Sequence, residues 1–357
     1  IHDWFTVNGG AEKVAKSILE TIGDADTYCL FDFFNDSDRN VILNGKKTKT
    51  SFLQYFPFCK THYRNYLPFF PRAIESFNLS RYDLIISSSF AVAKSVKTKP
   101  NQVHISYCHS PMRYAWDMQE AYIADVSNPI KKTIIRSILK RLQIWDKKTS
   151  KNVTHFIANS HFIYQRNAVV IHPPVDTDFF TLGDLKVKGD YFLVCSRIVP
   201  YKKINLIVDA FKNLPNEKLI VIGDGPEKSK LSQLPNVEIL GYLEKEEMRS
   251  YLRNAKAVIL AAIEDFGISS LEAQACGTPV IALKKAGYLE TIIKNKTGIF
   301  FNNQTSNDIS EAVLKFKETE ESFDKKSIRD NALLFSEECF KTKILSEIYN
   351  SLKGNEI

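Results

Sequence analysis

The residues of this chain that could do chemistry are two cations, two carboxylates and a few glycine turns. Arg197 and Lys202 flank a proline-stiffened loop directly after the apolar run Tyr191–Cys195. From there both can point at one anion and stabilise charge developing on a departing diphosphate. Glu264 and Glu272 stand on either side of Gly267, where a buried strand runs through a loop into a helix that stops at Gly277. The N–H groups of Gly267, Ile268, Ser269 and Ser270 lie at that helix's start and form a cradle for phosphate. A carboxylate on each side of the cradle suits sugar hydroxyls, which donate hydrogen bonds to it. Both groups also have an ordinary reading, as solvated loop cations and as a loop acid with a surface helical acid.

Two weaker signals lie in the first half. Asn8-Gly9-Gly10-Ala11-Glu12 is a glycine turn opening a helix, again a place for an anion, although it is not a dinucleotide fingerprint. His109 follows the strand-like His104–Cys108, where it can bond a sugar hydroxyl or serve as a satisfied structural histidine. Asp176-Thr177-Asp178 has the D-x-D form of some metal sites. It sits beside Pro173-Pro174, such pairs recur by chance (Asp24 with Asp26, Asp36 with Asp38), and no histidine cluster supports it, so no metal is expected.

The elements that must position these residues form an alternating pattern. Strand-length apolar runs such as Tyr82–Ser87, His104–Cys108, His155–Asn159, Lys218–Ile222, Ala257–Ala261 and Pro279–Ala282 alternate with amphipathic segments, which predicts parallel α/β architecture. The first half is too irregular for an eightfold barrel, and 357 residues suit two doubly wound domains better. Two adjacent prolines mark the connector near Ile171–Asp176, and the stretch from about Lys325 to Leu352 reads as helix. The abrupt start at Ile1 fits a first strand ending there, with residues missing before it.

Composition bounds the rest. Hydrophobic residues at 44% and charged residues at 25% exclude a disordered or fibrous chain, and no apolar run or secretory signal points to membrane insertion or export. Cys29, Cys59, Cys108, Cys195, Cys276 and Cys339 form no C-x-x-C pair, so a reducing, cytoplasmic compartment is expected. The first 178 residues hold 23 Lys and Arg against 16 Asp and Glu, which accounts for the whole net charge of +7. Residues 131–151 alone carry eight basic residues and one acid, and residues 51–73 mix aromatics with Lys60, Arg64 and Arg72. An anionic membrane surface is the expected partner of both stretches; packed loop aromatics and a solvated helix are the alternative. Nucleic acid is not expected, because the basic stretch lacks a recognisable module.

Taken together and in order, Glu264-Asp265-Phe266-Gly267 with Glu272, Ala275-Cys276-Gly277-Thr278-Pro279, Arg197 with Lys202, Gly223-Asp224-Gly225-Pro226 and Gly9-Gly10-Ala11-Glu12 resemble glycosyltransferase family 4. His2-Asp3-Trp4, Tyr107-Cys108-His109-Ser110-Pro111 with Arg113-Tyr114, and Val199–Lys203 resemble its bacterial O-antigen mannosyltransferase branch. The resemblance implies a GT-B fold: Rossmann-like domains at 1–175 (acceptor) and 176–335 (nucleotide sugar) facing across a cleft, with 336–357 crossing back to the first. It implies Arg197, Lys202, Glu264 and His109 as catalytic residues. Glu264 and His109 would contact the donor sugar, Glu272 the ribose, and the amides of Phe266, Gly267, Ile268, Ser269, Ser270 and Leu271 the sugar and diphosphate. Gly9, Gly10, Gly223 and Gly225 would also line the donor site, and the loop of Leu240 and Tyr242 would hold the base. Ser270 stands where many members have proline, and Lys203 competes with Lys202 for the phosphate.

The implied reaction is metal-independent transfer with retention, most specifically of mannose from GDP-mannose to a lipid-diphosphate-linked saccharide on the inner face of a bacterial cytoplasmic membrane. A UDP-sugar transferase, a sugar-nucleotide epimerase or phosphorylase, and a non-catalytic sugar-nucleotide sensor are the alternatives.

Overall fold

The computed structural model describes residues 1–124, 126–163, 168–184 and 189–353. The chain divides into two compact units: Ile1–His172 with Phe340–Ile357, and Pro173–Cys339. Sequence reasoning put divisions at 175/176 and 335/336.

In the first unit, β1 (Tyr28–Cys29) and β2 (Lys49–Thr50) pair in parallel. Four further parallel strands, β3 (Leu84–Ser89), β4 (Val103–Cys108), β5 (His155–Ala158) and β6 (Ala168–Val170), lie side by side in that order. His2 bridges Cys29 on one side and Ser88 on the other, so the first residues of the chain join the two sheets. The Asp3 carboxylate fixes the turn after β3. One oxygen accepts N–H bonds from Phe90 and Ala91 and the other from Val92 and Ala93, at 2.6 to 2.9 Å. The last helix, Glu337–Lys353, belongs largely to this unit. Its Phe340, Ile344 and Ile348 are buried with Val14 and Ile18 of the first helix and with Ile105 and Tyr107 of β4. Lys341 adds an ion pair to Glu20 at 2.6 Å.

The second unit is one parallel six-stranded sheet. Its strands are β7 (Phe192–Cys195), β8 (Leu219–Ile222), β9 (Val237–Gly241), β10 (Val258–Leu260), β11 (Val280–Leu283) and β12 (Gly298–Phe301). Alternate residues enter opposite cores: Phe192, Val194, Leu219 and Val221 on one face, Leu193, Ile220 and Ile222 on the other. Burial of both faces explains why these strands read as unbroken apolar runs. The spatial order β12-β11-β10-β7-β8-β9 means that the chain winds outward from β7 in one direction and returns to lay β10 on its other side. Such a reversal is where open α/β sheets bind ligands, outside the carboxyl ends of the strands.

The helical stretch from Lys325 to Leu352 is two helices, Lys325–Leu333 and Glu337–Lys353. The break comes where Val175 N–H bonds the Phe335 carbonyl at 2.8 Å and Val175 bridges Ser336. Among the described residues no helix is long and apolar enough to cross a membrane.

Candidate functional site

The carboxyl ends of β10, β7 and β8 are neighbours, and the singled-out residues of the second unit follow them. After β7, Pro200–Lys202 forms a short 3-10 turn and Lys203 takes a left-handed conformation (φ 56°) to start the next helix. This turn directs Lys202 rather than Lys203 to the loop after β10, where its Nζ lies 2.5 Å from Glu264 Oε1. Both side chains are about one-fifth exposed. Burial works against the Lys202 charge, but the Glu264 carboxylate, helped by Tyr201, outweighs it and raises the amine's pKa despite repulsion from Arg197. Arg197 is itself exposed, and its side chain has no hydrogen bond or ion pair among the described residues.

Gly223 and Gly225 lie close against the backbone of the loop after β7. A Cβ on Gly223 (φ 142°) would sit 1.9 Å from the Ser196 carbonyl oxygen, and one on Gly225 2.2 Å from that of Ile198. Ile198 N–H donates to the Asp224 carbonyl at 2.9 Å. The turn after β8 therefore braces the backbone on either side of Arg197, and only glycine allows that approach.

The loop after β10 is braced in the same way. Gly287 N–H donates to the Glu264 carbonyl at 3.0 Å, and a Cβ on Gly267 (φ 87°) would strike the buried Tyr288 ring at 2.6 Å. Gly267 caps the helix Ile268–Ala275. The Ile268 and Ser269 N–H groups have no partner among the described hydrogen bonds. Ser270 departs from the expected cradle: its N–H donates to the Gly267 carbonyl at 3.0 Å, and its hydroxyl reaches that carbonyl and Thr291, each at 2.8 Å. Phe266 and Leu271 keep their side chains in the core, so only their backbone could face a ligand. Glu272 is partly exposed and lies near the end of β7, where, after burial, its charge helps raise the Cys195 thiol's pKa. Leu240 is half-buried and Tyr242 exposed at the end of β9.

Asp176 accepts from Phe179 N–H at 3.0 Å and from Lys245 at 2.8 Å, whereas Asp178 is exposed.

In the first unit, the helix Gly10–Ile22 starts after Gly9, whose N–H donates to Glu12 Oε2 at 3.2 Å. That amide is therefore taken by the chain itself, contrary to its expected place in an anion cradle; Gly10 is exposed. His109 stands at the carboxyl end of β4. Its Nε2 lies 2.8 Å from the hydroxyl of Ser88, which also contacts His2. Burial, with His2 nearby, pushes the His109 pKa down to about 3, so the ring is neutral at physiological pH. Sequence reasoning missed Ser88, for which the only signal was three serines ending a strand, and did not connect it to His2.

Residues 179–332 match the family model of glycosyl transferases group 1. An uncharacterized glycosyltransferase of Methanocaldococcus jannaschii is 30% identical over 182 residues, 48% of this chain and 49% of that protein. A GDP-mannose-dependent monoacylated alpha-(1-6)-phosphatidylinositol monomannoside mannosyltransferase of Corynebacterium glutamicum is 32% identical over 34% of this chain and 36% of its own length. The aligned part thus spans half or less of these relatives. Among solved structures, sucrose-phosphate synthase of Thermosynechococcus elongatus has a TM-score of 0.70 at 16% identity, covering 99% of each chain. Anabaena HepE in complex with UDP and glucose has a TM-score of 0.64 at 17% identity, covering 98% of each. The two units with their parallel sheets and returning terminal helix thus define a GT-B fold. The family match lies within the second unit and covers less than half of the chain.

Proposed function

We propose that this protein is a retaining glycosyltransferase that takes a hexose from a nucleoside-diphosphate sugar without a metal ion. The observation that carries this reading is the convergence of Lys202, Glu264 and the Gly267 helix start at the β7/β10 reversal of the sheet. Arg197 and Lys202 neutralise the leaving diphosphate, and the Ile268 and Ser269 amides bind its oxygens. Glu264 accepts from a sugar hydroxyl and Glu272 from the ribose; His109 of the first unit contacts the sugar. The acceptor hydroxyl attacks the anomeric carbon from the face the diphosphate leaves. Its proton passes to the departing phosphate oxygen as the sugar goes through an oxocarbenium-like state. This chemistry asks for cations at the leaving group more than for a carboxylate base.

For the donor we propose GDP-mannose, and for the acceptor a lipid-diphosphate-linked saccharide in bacterial O-antigen synthesis. Supporting this are the motifs of the O-antigen branch and the GDP-mannose named for the corynebacterial relative. The helix Pro129–Thr149, with Ile130, Ile134 and Ile144 exposed among its basic residues, and the exposed Tyr55, Phe58 and Phe69 suit an anionic membrane surface at the cytoplasmic face.

A thermal-shift panel of GDP-mannose with UDP-, ADP- and dTDP-sugars tests the reading. A donor at 100 times its Kd adds about 2.7 kcal/mol of stability. GDP-mannose should give the largest shift; a larger UDP-sugar shift would replace the donor, and no shift from any sugar nucleotide would reject the reading. Labelled mannose should then pass to a lipid fraction; donor isomerisation would mean an epimerase.

A further inference from the structure

A chain of polar groups in the first unit ends on the ring of His109, and its direction is set at the other end. Ser88 Oγ lies 2.8 Å from His109 Nε2 and 3.1 Å from His2 Nδ1. His2 Nε2 faces Glu12 Oε1 at 3.8 Å, while Glu12 Oε2 accepts the Gly9 N–H. His2, Ser88 and Glu12 are at most 4% exposed. The His2 ring is also wedged between Phe5 and Phe90, with centroids 4.7 and 5.6 Å away, so packing fixes its orientation.

The Ser88 hydroxyl has one proton, so it donates to one imidazole and accepts from the other. Glu12 decides which. With one proton on the His2 ring, an ionised Glu12 carboxylate, which only accepts, favours that proton at Nε2, the nitrogen facing it at 3.8 Å. His2 Nδ1 is then a bare lone pair and accepts the Ser88 proton. Ser88 in turn accepts from N–H at His109 Nε2.

We propose that Glu12, His2 and Ser88 are positioning residues that hold His109 as its Nε2–H tautomer, leaving Nδ1 as an acceptor for a hydroxyl of the donor sugar. The sugar rests on the transferase reading above; the tautomer does not. The same carboxylate that caps the Gly9 turn thus orients a ring at the end of another strand, so these two parts of the unit respond together to loss of Glu12.

Long-range proton–nitrogen NMR of protein labelled at histidine nitrogen tests this, with His109→Gln assigning the signal. The parent should show His109 protonated at Nε2 and bare at Nδ1. Ser88→Ala should give a mixture of tautomers, and Ser88→Thr, which keeps the hydroxyl, should restore the parent pattern. Glu12→Gln should move the proton to Nδ1. Its amide oxygen keeps the Gly9 bond while its NH₂ donates to His2, which reverses the chain. In the transfer assay, Ser88→Ala should lower kcat about five-fold, the worth of one neutral hydrogen bond, and Ser88→Thr should recover it. A parent His109 protonated at Nδ1, or a Ser88→Ala spectrum with the parent tautomer, overturns the proposal. Both are read without turnover, so they are distinct from failure of the transferase reading, which would appear as absence of sugar-nucleotide binding.

Discussion

Acid should destabilise the first unit well before its carboxylates titrate. His104 is fully buried against Ser87, and burial, with the Ile1 amine, pushes its pKa from 6.5 down to about 4; His109 falls to about 3. Both rings stay neutral in the folded unit at pH 5, whereas the unfolded chain protonates both. The unfolded state therefore binds more protons in this window. The stability these rings contribute is complete above pH 6.5 and lost as pH falls, down to about 4 for His104 and about 3 for His109. At pH 5 the unfolded chain gains 1.5 pH units at ~1.36 kcal/mol per unit, about 2 kcal/mol for each ring. Together they remove about 4 kcal/mol, a large share of a typical domain's 5–15 kcal/mol. Trp4, Trp116 and Trp145 are the chain's three tryptophans and all lie in this unit, so their fluorescence follows its unfolding selectively. Urea midpoints should fall by more than ~1 M between pH 7 and pH 5. His104→Gln should roughly halve that fall. Equal midpoints at the two pH values, or an unchanged fall in His104→Gln, would refute the reasoning.

Three further outcomes are expected. Gly223→Ala puts a Cβ 1.9 Å from the Ser196 carbonyl at φ 142°, so it should cost about 2–5 kcal/mol in urea melts and weaken donor binding by moving Arg197. A cost below ~1 kcal/mol with parental binding would remove the bracing role. In a double-mutant cycle, Lys202→Met and Glu264→Gln should show a coupling of about 1–2 kcal/mol, because each single change strands a half-buried partner. Additive effects in that cycle would contradict the pair. Binding to anionic vesicles should weaken as salt rises; equal binding to neutral vesicles at every ionic strength would argue against docking through residues 131–151.

What the sequence could reveal follows from the range of each interaction. Leu219–Ile222 and Val280–Leu283 are buried on both faces, so their composition alone marks them as strands. The glycine before Ile268–Ala275 likewise marks a helix start by local chemistry. The break between Leu333 and Glu337 is invisible locally, because it is made by Val175, far away in the chain. Glycine pairs in a turn suggest open backbone, yet Gly9 is closed by Glu12 and Gly223 by Ser196. Side-chain pairing across a sheet is equally hidden: Ser88 meets His2 across 86 positions, and Lys202 meets Glu264 across 62. Residue type identified these groups as able to do chemistry, but only the fold shows which of them are already engaged.

The most direct measurement is calorimetric titration of GDP and UDP, in excess EDTA, into the parent and into the Arg197→Ala, Lys202→Ala double variant. The parent should bind at least one nucleotide with chelator present, and the double variant should bind it at least ten-fold more weakly, since two charge-assisted contacts are gone. Binding abolished by EDTA, or undiminished in the double variant, would contradict a diphosphate held by these two cations without a divalent ion.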